Sequence, residues 1–100
     1  MTFSGGIDRI TEEISPNVST QVEKAFDNVE HALQKAGGKG WEQVYKVRIY
    51  FAPNWEEAMG KTIELLRKYC PNHQPLLTAV VVHQLYNNMA LEIEVEAHLG

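Results

Sequence analysis

The sequence predicts an α+β fold, a two-layer sandwich in which two helices cover one face of a small, antiparallel-rich sheet. Three observations predict it. Two stretches carry apolar residues at helical spacing, a strand-like run lies between them, and two runs rich in β-branched residues follow near the end of the chain. A length of 100 residues fits one domain, so residues 1–100 are taken as a single unit.

The first helix is predicted to start at Ser15-Pro16-Asn17, because Ser or Asn can cap a helix and Pro suits its first turn. Through residues 18–36 the apolar positions recur at the i, i+4, i+7 and i+8 spacing of one helix face. Gly37-Gly38 is expected to end the helix, because Gly accepts the left-handed conformation at that point.

A strand is predicted over Val44–Phe51, where apolar and polar residues alternate. One face is expected to carry Tyr45, Val47, Ile49 and Phe51, and the other Lys46, Arg48 and Tyr50. After Pro53, the sequence from Asn54 to Glu57 has the form of a capping box, with Asn54 as the cap of a second amphipathic helix.

Residues 76–97 predict a β-hairpin around Asn87-Asn88, because Asn tolerates the positive φ that tight turns need. With a two-residue turn, Val82 would lie opposite Ile93 and His83 opposite Glu92.

One face of this hairpin would be apolar. The other would carry Leu77, Ala79, Val81, His83, Glu92, Glu94 and Glu96. Two helices cover one face of the sheet, and no further segment of the chain is predicted to cover the second. The apolar residues on that second face therefore predict packing against other subunits.

Composition excludes several classes of function. Thirteen acidic residues against nine basic ones give a net charge of −4, which is poor for a nucleic-acid binder. No apolar run is long enough to span a bilayer, and the first residues lack the pattern of a signal peptide. Cys70 has no second cysteine with which to form a disulfide. We therefore expect a cytoplasmic protein without membrane or nucleic-acid partners.

Five stretches together resemble a known family. They are Ser4-Gly5-Gly6, residues 21–37 read as Q…AF.NVE.AL..AGG, the strand at 44–50, residues 75–80 and residues 92–97. In this order and spacing the chain is similar to the Rid proteins, the reactive intermediate deaminases also called the YjgF or L-PSP endoribonuclease-like family. The resemblance covers nearly the whole chain, and it depends on the order of the motifs more than on any one of them.

The resemblance implies a chorismate-mutase-like fold and a homotrimer with sheets inside and helices outside, in agreement with the uncovered face. It also implies three clefts between subunits. In active members these clefts bind small carboxylate metabolites and hydrolyse imines or enamines to ketones and ammonia. An Arg of a Pro-Ala-Arg motif binds the substrate carboxylate in a bidentate pair. A Glu at the start of the last strand positions or activates water, and Glu92 occupies that place.

The chain departs from this pattern at the site. The Arg position is Leu77, the Cys found two residues later in many members is Ala79, and an Asn of the second helix falls near Gly60. The family's first hairpin strand, which carries a Tyr near the site, has no counterpart in the sequence. Since leucine cannot bind a carboxylate, a less anionic ligand is expected.

The candidate site residues follow from these matches and departures. Glu92 and His83 are the catalytic candidates, and Ser4, Leu77, Ala79 and Arg48 are the substrate-binding candidates, with Lys46 as a second stand-in for the lost Arg. His83 opposite Glu92 could form an acid–base pair, because His titrates near neutral pH, and an ordinary cross-strand pair is the alternative. No metal site or cofactor is expected, because the histidines lack ligand-like spacing.

Three functions remain to be compared. The first is a divergent imine or enamine hydrolase, and the second is a non-catalytic homotrimer that binds a metabolite or a protein partner. The third is the ribonuclease activity assigned to some family members, against which the acidic balance argues. The first two hypotheses stay open on the sequence.

Overall fold

The computed structural model of the chain describes the backbone of residues 2–5 and residues 13–98. Its elements, in chain order, are β1 (Thr2–Gly5), α1 (Val18–Lys35), β2 (Val44–Phe51), α2 (Glu56–Tyr69), β3 (Leu76–Val81) and β4 (Leu91–Ala97). Short 3₁₀ helices occupy Gly40–Gln43 and Tyr86–Asn88. The predicted α+β class is confirmed.

The strand order in the sheet is β1-β4-β2-β3. Strand β4 is antiparallel to both β1 and β2, whereas β2 and β3 are parallel. The parallel pair is joined through α2, because parallel neighbours need a crossover connection and a helix supplies it. Two of the three strand pairs are antiparallel, as the sequence predicted.

The hairpin predicted over residues 76–97 is wrong, because β2 lies between β3 and β4. The backbone N–H of Val82 donates to the carbonyl of Phe51 at 2.8 Å, so the end of β3 is bonded to β2. Ile93 pairs with Ile49 and Glu92 with Tyr50, so neither Val82 nor His83 has the partner that was predicted. Placed between β1 and β2, β4 has neighbours on both edges, and it buries Leu91, Ile93 and Val95.

The register also changes which residues of β3 face away from the helices. Paired residues on neighbouring strands share a face. Leu77, Ala79 and Val81 pair with buried residues of β2, so they lie on the helix side and not beside the glutamates, as predicted. The face of the sheet away from the helices, called here the open face, takes the alternate residues of β3: Leu76 beside Lys46, Thr78 beside Arg48 and Val80 beside Tyr50.

The core lies between the helices and the inner face of the sheet. Its largest fully buried side chain is Trp41, which stacks on Phe26 with ring centroids 4.7 Å apart and donates from Nε1 to the carbonyl of Phe26. The sheet contributes Val47, Ile49, Phe51, Leu91, Ile93 and Val95, and the helices contribute Val22, Ala25, Phe26, Val29, Leu33, Ala58 and Leu65. Of the described residues, none belongs to a helix long and apolar enough to cross a membrane.

The ends of α1 follow the sequence prediction. Asn17 caps the helix, with its Oδ1 accepting from the N–H of Thr20 at 2.9 Å. At the other end Gly37 has φ +94°, and the N–H of Gly38 donates to the carbonyl of Leu33 at 2.9 Å, which is the Schellman pattern.

Two local predictions are wrong. Asn54 does not cap α2, because it adopts a left-handed backbone with φ +66° and the helix starts after Trp55, which makes no side-chain capping bond. Tyr45 does not share the buried face of Val47, Ile49 and Phe51, because an irregularity in the β2–β4 register between Val44 and Lys46 buries Val44 in its place. The ring of Tyr45 is exposed and lies against His98, with centroids 4.7 Å apart.

Candidate functional site

The open face carries a ladder of charged pairs between β4 and β2. Lys46 Nζ lies 3.5 Å from Glu96 Oε2, and Arg48 Nη1 lies 3.4 Å from Glu94 Oε1. The hydroxyl of Tyr50 donates to the same oxygen of Glu94 at 3.4 Å. Because the cations of both pairs are more than 40% exposed, solvent screens the two pairs and neither contributes much to stability.

Arg48, a predicted stand-in for the family's arginine, is already paired with Glu94 within the chain. Tyr50 and then the Glu94 carboxylate raise the pKa of Arg48 above its ordinary value, so the guanidinium stays charged. Lys46 is likewise paired with a glutamate. A ligand carboxylate on this face would have to compete with Glu94 and Glu96 for these two cations.

Glu92 differs from the other two glutamates of β4. It lies between Gly5 of β1 and Tyr50 of β2, and it is half-buried. Within the described part of the chain, no side chain or backbone N–H donates a hydrogen bond to its carboxylate and no cation pairs with it. The backbone of Ser4 pairs with Ile93, one position along β4 from Glu92.

His83 lies apart from Glu92. It is exposed, and it follows the end of β3 on the far side of β2 from β4. The predicted cross-strand pair of these two residues therefore does not form within the chain.

Leu77 lies at the edge of a groove between α2 and β3, on the helix side of the sheet. The groove has a volume of about 570 Å³, within the range of small-molecule sites. We call it the α2–β3 groove; it is lined by Ile63, Leu66 and Arg67 of α2, by residues 70–75 of the connecting loop and by Leu77. Ala79, the other β3 candidate, is exposed on the same side of the sheet but does not line the groove.

The loop that forms the end of this groove is held in place by His73. Its Nε2 lies 2.9 Å from the carbonyl oxygen of Val44, and since a carbonyl can only accept, Nε2 is the protonated donor. This bond ties the loop to the start of β2.

Cys70 forms part of the groove wall as a protonated thiol. It is 7% exposed, and its Sγ lies 4.0 Å from the carbonyl oxygen of Trp41. Burial, and to a smaller extent the charge of Glu30, raises the pKa of the thiol to about 11. A neutral, buried thiol behaves as a small apolar group and not as a nucleophile.

Sequence reasoning missed Arg67 and His73 as site residues. Arg67 stands four positions after Ile63 and one after Leu66, so helical spacing places it on the edge of their face. The helical spacing could therefore have identified Arg67 from the sequence alone. The place of His73 depends on a long-range bond to Val44, which spacing does not reveal. In the part of the chain that the structure describes, no three His, Cys, Asp or Glu side chains cluster closely enough to hold a metal ion.

The chain is a small α+β sandwich with charged pairs on its open face and a groove beside the edge strand β3. The model of the Endoribonuclease L-PSP family matches residues 1–99, and the chain belongs to this family. The resemblance found in the sequence is thereby confirmed. A search of the curated proteins gave no match.

Solved structures show the same fold. An endoribonuclease L-PSP candidate from Entamoeba histolytica has a TM-score of 0.86 at 21% identity, over 98% of this chain and 77% of that one. RidA from an Antarctic Psychrobacter species has a TM-score of 0.84 at 23% identity, over 95% and 75% of the two chains. TdcF from E. coli, solved with bound serine, has a TM-score of 0.84 at 20% identity, over 97% and 76%.

Proposed function

We propose that the chain acts as a Rid-type homotrimer whose inter-subunit clefts bind a small metabolite. The observation that carries this proposal is β3. All six residues of this edge strand are exposed in the single chain, none is charged, and Leu76 is 72% exposed. Natural proteins protect such an edge with charges or cover it, because an unpaired apolar strand promotes aggregation. Family membership favours a neighbouring copy as this cover.

Cytoplasmic action is part of the same proposal. The lone Cys70 fits it, because disulfides are rare in that compartment.

The test is the mass in solution, measured by sedimentation velocity. The wild-type chain is expected at three times the 11.3 kDa of one chain. Leu76→Lys is expected to lower that mass, because the lysine introduces a charge at the proposed contact while costing the single chain little stability at an exposed position. Gln34→Lys, at an exposed position of α1, adds the same charge away from the strand and should leave the trimer intact. A monomeric wild-type chain would refute the proposal.

A second candidate function is hydrolysis of an imine or enamine, supported by Glu92. Its carboxylate has no partner within the described chain, whereas Glu94 and Glu96 are both bound to cations. A half-buried carboxylate of this kind can position or deprotonate a water molecule. Since His83 lies on the far side of β2, this chemistry would proceed without a contribution from His83 of the same subunit.

The test is ammonia and keto-acid release from 2-aminoacrylate-type imines, generated in place by a dehydratase. For a hydrolase, acceleration by the wild-type protein should be lost in Glu92→Gln and retained in Glu96→Gln, a matched change on the same strand and face. If the folded trimer gives no acceleration, metabolite binding without catalysis is the remaining function.

A further inference from the structure

We propose that the α2–β3 groove binds a small monocarboxylate with an apolar chain, and that Arg67 is the residue that binds its carboxylate. The proposal rests on the proposed function, in that this groove would form one wall of the metabolite cleft. It moves the cation from β3, where the family has an arginine and this chain has Leu77, to the last turn of α2.

The apolar part of the ligand is defined by three side chains. Ile63, Leu66 and Leu77 line the groove, and Ile63 and Leu77 are 40% and 43% exposed in the single chain. A short hydrocarbon chain placed on them would remove this apolar surface from water, at about 25 cal/mol for each Å² covered.

The charge of the groove selects an anion. Among the described residues that line the groove, Arg67 is the one charged side chain and none is acidic. No carboxylate in the described part of the chain forms an ion pair with Arg67. By contrast, Lys46 and Arg48 on the open face and Lys61 on α2 all pair with glutamates.

The single guanidinium indicates a carboxylate and not a phosphate. A guanidinium matches the two oxygens of one carboxylate in a bidentate pair. A phosphate dianion would leave a second charge unbalanced, since the described residues of the groove include no second cation. The sequence-based expectation of a less anionic ligand followed from Leu77, which provides no charge, and it did not include Arg67 on α2.

The loop of residues 70–75, which lines the groove, is held in place before any ligand binds. His73 Nε2 donates to the carbonyl of Val44, and Cys70, a lining residue, is itself buried. Ligand binding would therefore not have to order this loop, which lowers the entropic cost of binding.

Arg67 also has a structural explanation, because a cation in the last turn of a helix interacts favourably with the helix dipole. Lys68 shares that position and separates the two explanations. It lies over the ring of Tyr69, with Nζ 5.6 Å from the centroid, and it does not line the groove. Lys68→Gln is therefore the control for Arg67→Gln.

The experiment uses hexanoate and its neutral isostere hexanamide as probes. Binding is followed through the methyl NMR signals of Ile63, Leu66 and Leu77 in the full-length protein. Hexanoate is expected to shift these signals saturably and to bind at least about tenfold more tightly than hexanamide, the size of a charge-assisted hydrogen-bonded pair. Arg67→Gln should weaken hexanoate binding about tenfold and leave hexanamide unchanged, while Lys68→Gln changes neither.

Three results would overturn the proposal: equal hexanoate binding by Arg67→Gln and wild type, equal binding of the two probes, or no saturable shift at the solubility limit of hexanoate. The mass of each sample in solution, measured alongside, distinguishes failure of the carboxylate site from failure of the trimer. Missing methyl shifts in a trimeric sample refute the carboxylate site alone, whereas a monomeric mass refutes the proposed assembly. Methyl shifts in a monomer would support Arg67 as the binding residue, since every lining residue belongs to one chain.

Discussion

Glu92 and Glu94 stand two positions apart on β4, and their neighbours give them different roles. Glu94 is 12% exposed and holds Arg48 and Tyr50 in place, so it is part of the structure of the open face. Glu92 lies beside Tyr50 and Gly5, with no donor from the described residues directed at it. At the scale of the residue, a ligand can bind charged groups that form no ion pair or hydrogen bond within the described chain. Glu92 and Arg67 are two such groups.

The buried thiol of Cys70 gives a prediction at this scale. With its pKa raised from 9.0 to about 11 by burial, it should react with a thiol reagent at pH 8 about 100-fold more slowly than in the unfolded chain, because the thiolate is the reacting form. Stability should also fall between about pH 9 and 11, where the unfolded chain ionises this thiol and the folded chain does not.

The measurement for Cys70 is the rate of reaction with a chromogenic disulfide, with and without denaturant. Cys70→Ser serves as the blank for both conditions. Equal rates in native buffer and in denaturant would show that the thiol is neither buried nor shifted.

Gly40 and Gly37 give a matched pair of substitutions. Both have positive φ, +86° and +94°. A Cβ added at Gly40 would overlap the Glu30 carboxylate, which accepts from the N–H of Trp41 at 2.8 Å, whereas a Cβ at Gly37 meets open space. Gly37→Ala should cost about 1 kcal/mol of backbone strain, and Gly40→Ala about 1–2 kcal/mol more, because it also breaks a bond to a charged group. Chemical denaturation of the two variants checks this order, and equal losses would contradict it.

At the scale of the element, the sequence predicted α1 and β2 well and the pairing of β3 and β4 badly. Helix periodicity and the Gly37-Gly38 end are local signals, so they could be read without knowing the fold. Strand alternation fixes which residues share a face but not which strand lies alongside. The Asn-Asn pair suggested a tight turn, and Asn88 does adopt φ +56°, but within a 3₁₀ turn of a longer connection. The burial gained by placing β4 between β1 and β2 outweighed that local preference.

The same limit applies to the candidate site. Glu92 is a candidate because the family motif places it, and Leu77 is predicted from the same motif to stand where the family has a cation; both stay predictions. His83 was paired with Glu92 through the hairpin, so it failed when the pairing failed. Arg67 and His73 became candidates once the packing of α2, its loop and β3 was known.

The position of α1 depends on a buried glutamine, which gives a prediction for this scale. Gln21 is 6% exposed; its Nε2 donates to the carbonyl of Ser15 and its Oε1 accepts from the N–H of Ala90, both at 2.8 Å. Gln21→Leu keeps the volume but leaves these two backbone groups without their partner. We expect a loss of about 2 kcal/mol in the free energy of unfolding.

Thermal and urea unfolding measure this loss. Gln34→Leu, an exposed position on the same helix, should change stability by less than about 0.5 kcal/mol. If Gln21→Leu were as stable as wild type, α1 would be held by apolar packing alone.

At the scale of the whole molecule, the described chain has one covered and one open sheet face, and its edge strand β3 is exposed and carries no charged residue. The helices bury the inner face of β2 and β4, while the open face carries paired charges and Leu76, Thr78 and Val80. The central claim of the proposed assembly is that another copy covers β3. That arrangement would remove the exposed edge and bring the groove and Glu92 of neighbouring copies into the same assembly.

Hydrogen exchange of the β3 amides tests this claim most directly. The N–H of Val82 points to β2, so by alternation along the strand the amides of Leu77, Ala79 and Val81 point to the outer edge. If another copy covers β3, these three amides exchange slowly at high protein concentration, and faster on dilution or in Leu76→Lys. If they exchange as fast as exposed loop amides in a sample that sediments as a trimer, β3 is not the covered edge and the proposed assembly is wrong.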